Sequence, residues 1–567
     1  MGAYATLILA FLALLPLARA EAPFPAAQAV VAQSAMVVSQ EKRATHIGVE
    51  VLHRGGNAVD AAVAVAFALA VTHPQAGNLG GGGFMLIRLA DGTATVIDYR
   101  ETAPRAATRD MFLDESGEYD PKKSRDSGLA VGVPGTVAGL TLALEKYGSG
   151  GFKLSDLIAP AIALARDGVP VADELADSLP RAAPRLARFP ASAKIFLKPD
   201  GAALAPGDRL VQPDLAGSLE TIAREGPRGF YEGDIAQKIV DSARTAGGIL
   251  SREDLQDYRA VERAPVHGSY RGREVISVPP PSSGGVHLIE MLNILEGYGL
   301  EGLGARSPAT LHRMIEAMKR AYADRAQFLG DADQVSVPVE RLISKSHAAE
   351  LRATIDPEHA TPASALRPKT SGAHEGDHTT HFSVIDGFGN AVSNTYTLNF
   401  NYGLGLVADG TGILLNNELD DFSAKPGAPN AFGLVGGEAN APGPGKRPLS
   451  SMSPTIVLED GKPRLITGSP GGSRIITIVL QIILDVIDFH ETIAQAVSAP
   501  RVHDQWLPDV VAAEVGFSDD TIRQLETLGH TIHLGGTWGA ANSILIAPEM
   551  ITGAADPRTR GAAAEGE

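Results

Sequence analysis

Three histidines crowd the stretch HEGDHTTHF, His374 to Phe382. Its first five residues read H-E-x-x-H, the spacing by which one helix turns two imidazoles toward zinc. Two chemistries are open here. In the first, His374, His378 and His381 hold a metal. The surroundings make a poor helix, however: Pro368 and Ser371-Gly372 precede the stretch, Gly376 lies inside it, and it runs straight into a strand pattern. In the second, Thr379 is the reactive group. An internal threonine at a loop-to-strand junction has no evident base. Scission of the bond between His378 and Thr379 would supply one, because a free α-amine has a pKa of about 7.7 to 8.0 and is partly neutral near pH 7. Hydroxyl nucleophile and proton acceptor would then sit on one residue.

The elements that must position these groups can be read from periodicity. From Gln28 to Val71 the pattern is helical, broken at Gly55-Gly56, with Asn57 placed to cap the second helix. Phe84–Leu89 and Ala94–Tyr99 read as strands joined by an Asp91-Gly92 turn. Gly80 to Gly83 lack the Lys-Ser/Thr ending of a phosphate loop and read as close backbone packing ahead of a strand. The stretch from Leu154 to Ala353 reads as mostly helical; within PPPSSGG, Ser282 and Ser283 read as helix caps rather than catalysts. Pro357 to Asp377 reads as loop. After Thr379, THFSVID and NAVSNTYTLNF alternate as two strands. A further hairpin turns at EDGKP, and a long apolar helix follows GSPGGSR. Helices, then strands, then helices imply layered α/β architecture.

Composition narrows the function. The net charge of −17 argues against nucleic acid or an anionic membrane as partner. With no cysteine, thiol nucleophiles, thiolate metal sites and disulfides are excluded. Thr6 to Leu17 is apolar and Ala18-Arg19-Ala20 is a small-x-small site, so residues 1–20 read as a cleaved export signal, leaving a mature chain from Glu21. The apolar run falls short of the ~20 residues a spanning helix needs. A periplasmic or secreted location without a membrane anchor is expected.

Further stretches carry a family resemblance in order along the chain: GGNAVDAAVAVAFALAVTHPQAGNLGGGGFMLIR, DYRETAP, PPPSSGG, TTHFSV, YTLN, LLNNELDDFSAKPG, KRPLSSMSPTIV and GSPGGSRIIT. Together they resemble the bacterial γ-glutamyltransferases (γ-glutamyltranspeptidases), which are N-terminal-nucleophile hydrolases. The resemblance implies a four-layer αββα sandwich built jointly by two subunits, a large one of residues 21–378 and a small one of residues 379–567, cut from one precursor. It implies Thr379 as the nucleophile, attacking glutathione or another γ-glutamyl compound. Water then completes hydrolysis, or an acceptor amino acid or dipeptide completes transpeptidation. No cofactor and no metal are implied.

The resemblance also assigns the neighbours of Thr379. Arg100 would take the substrate α-carboxylate, as a guanidinium can do bidentately, aided by the hydroxyls of Ser450 and Ser451. Asp421, Glu418 and Asn399 would hold the α-ammonium; some relatives carry Gln where Glu418 stands. Thr397 would support the nucleophile, and Gly471 and Gly472 would offer N–H groups to the oxyanion. The Pro/Gly-rich loop KPGAPNAFGLVGGEANAPGPGKRP would form a lid, with Phe432 as its gate where some relatives have Tyr, and a looser lid is expected. Three other readings remain to be separated: a glutaryl-type (cephalosporin) acylase of the same superfamily, a zinc peptidase, and a non-catalytic export-pathway protein that binds γ-glutamyl peptides.

Overall fold

The computed structural model describes residues 26–366, 379–425, 427–430 and 433–567. Its centre is a pair of seven-stranded antiparallel sheets. The first runs Ala563–Gly566, Met36–Ser39, Thr380–Ile385, Ala391–Thr397, Gly82–Arg88, Ala94–Asp98 and Val261–Arg263. The second runs Val30–Ala32, Met550–Ala554, Ser543–Ala547, Lys462–Thr467, Thr455–Glu459, Arg273–Ser277 and Val266–Tyr270. Both sheets therefore mix strands from before and after Thr379. They face each other, and the hydroxyl of Ser393 in the first donates to the Thr467 carbonyl of the second at 2.9 Å.

Helices cover the outer faces. Over the first sheet lies Ala58–Thr72, whose side chains are apolar almost all round and entirely buried, as a helix enclosed on every side requires. Asn57 starts it by accepting N–H bonds from Val59 and Asp60, and Asp60 closes a capping box. Over the second sheet lie Gly284–Leu295, Pro308–Phe328 and Ile475–Ile487. The result is the expected αββα order.

The hairpins at Asp91-Gly92, Asp386–Asn390 and Asp460-Gly461 all form as the alternation predicts. The glycine run packs closely as expected: a Cβ on Gly81 would come within 2.0 Å of the Thr397 carbonyl oxygen, and one on Gly80 within 2.0 Å of that of Leu414. Two readings need correction. The helical pattern assigned from Gln28 begins only at Lys42; Val30–Ala32 and Met36–Ser39 are strands. Their β-branched valines suit a sheet position that a helical count of apolar residues does not distinguish. The mostly helical middle also contains strands: the short pair Val169–Pro170 and Arg209–Leu210, and then Val261–Arg263, Val266–Tyr270 and Arg273–Ser277. Within the expected loop from Pro357, Ala363–Leu366 makes one short helical turn.

Candidate active site

Thr379 stands at the head of the strand Thr380–Ile385, inside the first sheet and 8% exposed. It borders a narrow, partly open cleft. The same cleft is lined by Arg100, Thr397, Asn399, Glu418, Asp421, Ser450, Ser451 and Gly472, which arrive from five separate parts of the chain. Gly471 is not among its lining residues. His374, His378 and Phe432 fall outside the described residues, as do residues 1–20.

The antiparallel register that pairs Thr380 with Tyr396 brings Thr397 alongside Thr379. Thr397 Oγ1 accepts the Asn399 N–H at 2.9 Å, and its carbonyl accepts from Asn78 Nδ2 at 2.9 Å. Asn399 adopts a left-handed backbone, φ +76°, which asparagine tolerates better than most residues. Its Nδ2 donates to the Asn417 carbonyl at 3.0 Å, tying this corner to the short 3-10 helix Glu418–Asp421.

The acid end is dense with charge. Arg100 is fully buried; its Nη1 pairs with Glu418 and its Nη2 with Asp421 Oδ2 at 2.5 Å. Its Nε donates to the Pro448 carbonyl at 3.1 Å, which fixes the plane of the guanidinium. Glu101 lies behind, 4.0 Å from Arg100 Nη1, with both carboxylate oxygens buried and unpartnered. Three carboxyls thus crowd one guanidinium. Burial opposes the charge on Arg100, yet Glu418, Asp421 and Glu101 outweigh it and raise its pKa. Burial pushes Glu101 up to about 8 and raises Glu418 and Asp421 as well, against the pull of Arg100. An incoming ammonium would supply positive charge that this cluster lacks.

At the other end, Gly471 (φ +136°) and Gly472 (φ +54°) take backbone conformations that a side chain would strain. They lead through the turn Gly472–Arg474 into the helix Ile475–Ile487, so the positive helix end lies here. Ser450 and Ser451 form part of the wall. The Ser450 N–H donates to the Pro281 carbonyl and its own carbonyl accepts from the Ser283 hydroxyl, each at 2.8 Å. Ser282 does act at the helix start, accepting the Gly284 N–H at 3.1 Å; Ser283 instead faces this segment.

His381 is committed elsewhere, which removes the third ligand of the metal reading. Its ring is buried between the sheets, Nδ1 against Thr395 Oγ1 at 2.9 Å and Nε2 against Ser383 Oγ at 3.1 Å. Burial lowers its pKa to about 3, so it stays neutral. Sequence reasoning missed two site residues, Glu101 and Arg325. Glu101 adjoins Arg100 within DYRETAP and was available to notice; Arg325 sits on a long helix where nothing in its spacing sets it apart.

Two facing antiparallel sheets between helical layers, with a threonine opening an inner strand beside a polar cleft, define the N-terminal-nucleophile hydrolase class. The chain belongs to the γ-glutamyltranspeptidase family, whose model matches residues 44–566. It is 53% identical over 529 residues to the glutathione hydrolase proenzyme of Escherichia coli, covering 93% of this chain and 91% of that one. Among solved structures, γ-glutamyltranspeptidase of Helicobacter pylori matches with 49% identity and a TM-score of 0.56, over 57% of this chain and 93% of that one. Cephalosporin acylase from Bacillus halodurans matches with 28% identity and a TM-score of 0.82, over 96% of this chain and 98% of that one.

Proposed function

We propose that this protein is a self-processing γ-glutamyltransferase and glutathione hydrolase that works through a γ-glutamyl ester on Thr379. The observation that carries the reading is the single cleft in which Thr379 and Gly472 meet a guanidinium and two carboxylates, the charge complement of a free amino-acid end. In the cleft Arg100 is paired with Glu418 and Asp421. A γ-glutamyl substrate would exchange that pairing for two, its α-carboxylate to Arg100 with Ser450 and Ser451, its α-ammonium to Asp421, Glu418 and Asn399.

Processing and turnover use the same atoms. The Thr379 hydroxyl attacks the His378 carbonyl carbon, the C–N bond breaks, and the nitrogen leaves as the Thr379 α-amine. Water then hydrolyses the ester and restores the hydroxyl, giving chains of residues 21–378 and 379–567. In turnover the hydroxyl attacks the γ-carbonyl carbon and its proton passes to the α-amine. The oxyanion rests on the N–H groups of Gly471 and Gly472, where a lost donor is typically worth about 2.7–4 kcal/mol. The leaving amine takes the proton as the C–N bond breaks. Thr397 holds the nucleophile in place. Water or an acceptor amine resolves the ester.

Export to the periplasm or medium follows from the leader at residues 1–20, and no described helix is long and apolar enough to cross a membrane. The acylase alternative accounts less well for Asp421 and Asn399, because a glutaryl group brings no ammonium. N-terminal sequencing of the purified protein, together with turnover of γ-glutamyl-p-nitroanilide and of glutaryl-p-nitroanilide, tests the reading. Fragments beginning at Glu21 and Thr379, with preference for the γ-glutamyl donor, are expected. An intact chain with turnover, or preference for the glutaryl donor, would overturn it.

A further inference from the structure

The cleft contains a second guanidinium. Arg325, on the helix Pro308–Phe328, is 5% exposed and lines the cleft together with Ser450 and Ser451. Its surroundings differ from those of Arg100. Among the described residues it forms no ion pair with a carboxylate. Its Nε donates to Ser283 Oγ at 2.9 Å and its Nη2 to Ser451 Oγ at 3.2 Å. Burial lowers its pKa to about 10, which still leaves it cationic at neutral pH. A buried cation whose side chain is hydrogen-bonded to hydroxyls, with Asp421 acting on it only through space, is costly unless an anion completes the site.

The hydrogen bonds around it have a direction. A serine hydroxyl offers one proton and two lone pairs. Arg325 Nη2 takes a lone pair of Ser451, so the Ser451 proton remains available to donate. Ser450 is poised the same way, because its Oγ accepts the Met452 N–H at 3.1 Å. Ser283 Oγ, gripped by Arg325 Nε, in turn donates to the Ser450 carbonyl at 2.8 Å and pins the segment.

We propose that Arg325 is a positioning residue for α-carboxylate recognition: it fixes the Ser451 hydroxyl as a donor and supplies the positive charge that the bound carboxylate offsets. The inference rests on the γ-glutamyltransferase reading given above. Arg100 then has a divided role, shared between substrate carboxylate and the acidic cluster, whereas Arg325 serves the carboxylate alone.

The test is a cycle of two donors against four variants of the full-length, processed protein: R325Q, R325K, S451A and the double variant R325Q/S451A. The donors are γ-glutamyl-p-nitroanilide and the same anilide with its α-carboxylate converted to a carboxamide. R325Q is expected to raise KM for the carboxylate donor at least tenfold while changing kcat less than threefold. Its kcat/KM for the carboxamide donor should fall less than threefold. R325K should recover part of the loss, since it restores charge but cannot serve both serines. S451A and R325Q should be less than additive. Equal losses on both donors would mark Arg325 as merely structural and overturn the proposal, as would R325K matching the wild type or R325Q leaving KM unchanged. If R325Q does not fold, judged by its melting curve, R325K and S451A decide through the same donor ratio. Failure of the wild type to turn over the γ-glutamyl donor would instead strike the functional reading itself.

Discussion

The two ends of the cleft are built from different materials. At the acid end the buried Arg100 and Glu418 and the partly buried Asp421 are ionisable and in direct contact, with Glu101 crowded in behind. At the other end Thr379 and Thr397 offer hydroxyls and Gly471 and Gly472 backbone N–H groups, joined in the proposed mechanism by the α-amine that scission would free on Thr379. The acid end can tell a zwitterion from other ligands because charge pairs in low dielectric are strong and sign-selective. It has no group placed to make or break the scissile bond. The neutral end has those groups and little selectivity. Discrimination and chemistry are therefore separable, and substitutions at the two ends should fail differently.

The sharpest break lies at the neutral end. Thr379→Ala should lower kcat by about 10⁴-fold or more, the scale seen when a covalent nucleophile is removed, and should leave one uncut chain on a denaturing gel. At the acid end Asp421→Asn should lower kcat/KM by about 10²–10³-fold through loss of a buried charge partner, about 2–5 kcal/mol. Its melting temperature should hold or rise, because a surplus buried acid has gone. Loss of activity without loss of stability would mark this end as built for recognition. Thr397→Val should lower kcat by roughly 10–100-fold, in line with about 1.5–3 kcal/mol for a lost support at the reacting group. It should change KM little.

The smallest effect concerns pH. Burial holds the Glu101 pKa up at about 8 in the free protein. Below that pH the group is protonated, and a substrate ammonium prefers it ionised. For γ-glutamyl-p-nitroanilide, kcat/KM should therefore rise with pH through this window, by up to about tenfold per unit. Glu101→Gln should flatten that slope; an unchanged profile would remove Glu101 from the charge count of the acid end.

Much of this was legible in the sequence, though unevenly. The hairpins at Asp91-Gly92 and Asp460-Gly461, the helix capped by Asn57 and the close-packed glycines at Gly80 to Gly83 follow from local rules, and each forms. Met36–Ser39 and Arg273–Ser277 were missed because a short buried strand has no period to set it apart from a helix. Of the described site residues that came from ordered motifs, all but Gly471 line one cleft. Arg325 could not be found that way, since its meaning comes from Ser283 and Ser451, which lie 42 and 126 residues away. The H-E-x-x-H pattern suggested a metal; its His374 and His378 lie outside the described residues, and the neighbouring His381 is carried by its strand into the interior, against Thr395 and Ser383.

The mixing of strands from before and after Thr379 has a consequence for the life of the molecule. Met36–Ser39 lies between Ala563–Gly566 and Thr380–Ile385, so if the chain is cut before Thr379 as proposed, neither fragment can withdraw without tearing ladders on both edges of that strand. The uncut chain brings its strands together as one tethered polymer. A cut molecule that unfolds must reassemble from two separate partners, at a rate set by dilution. Such a protein folds efficiently once, and heat or denaturant should then act as a one-way door.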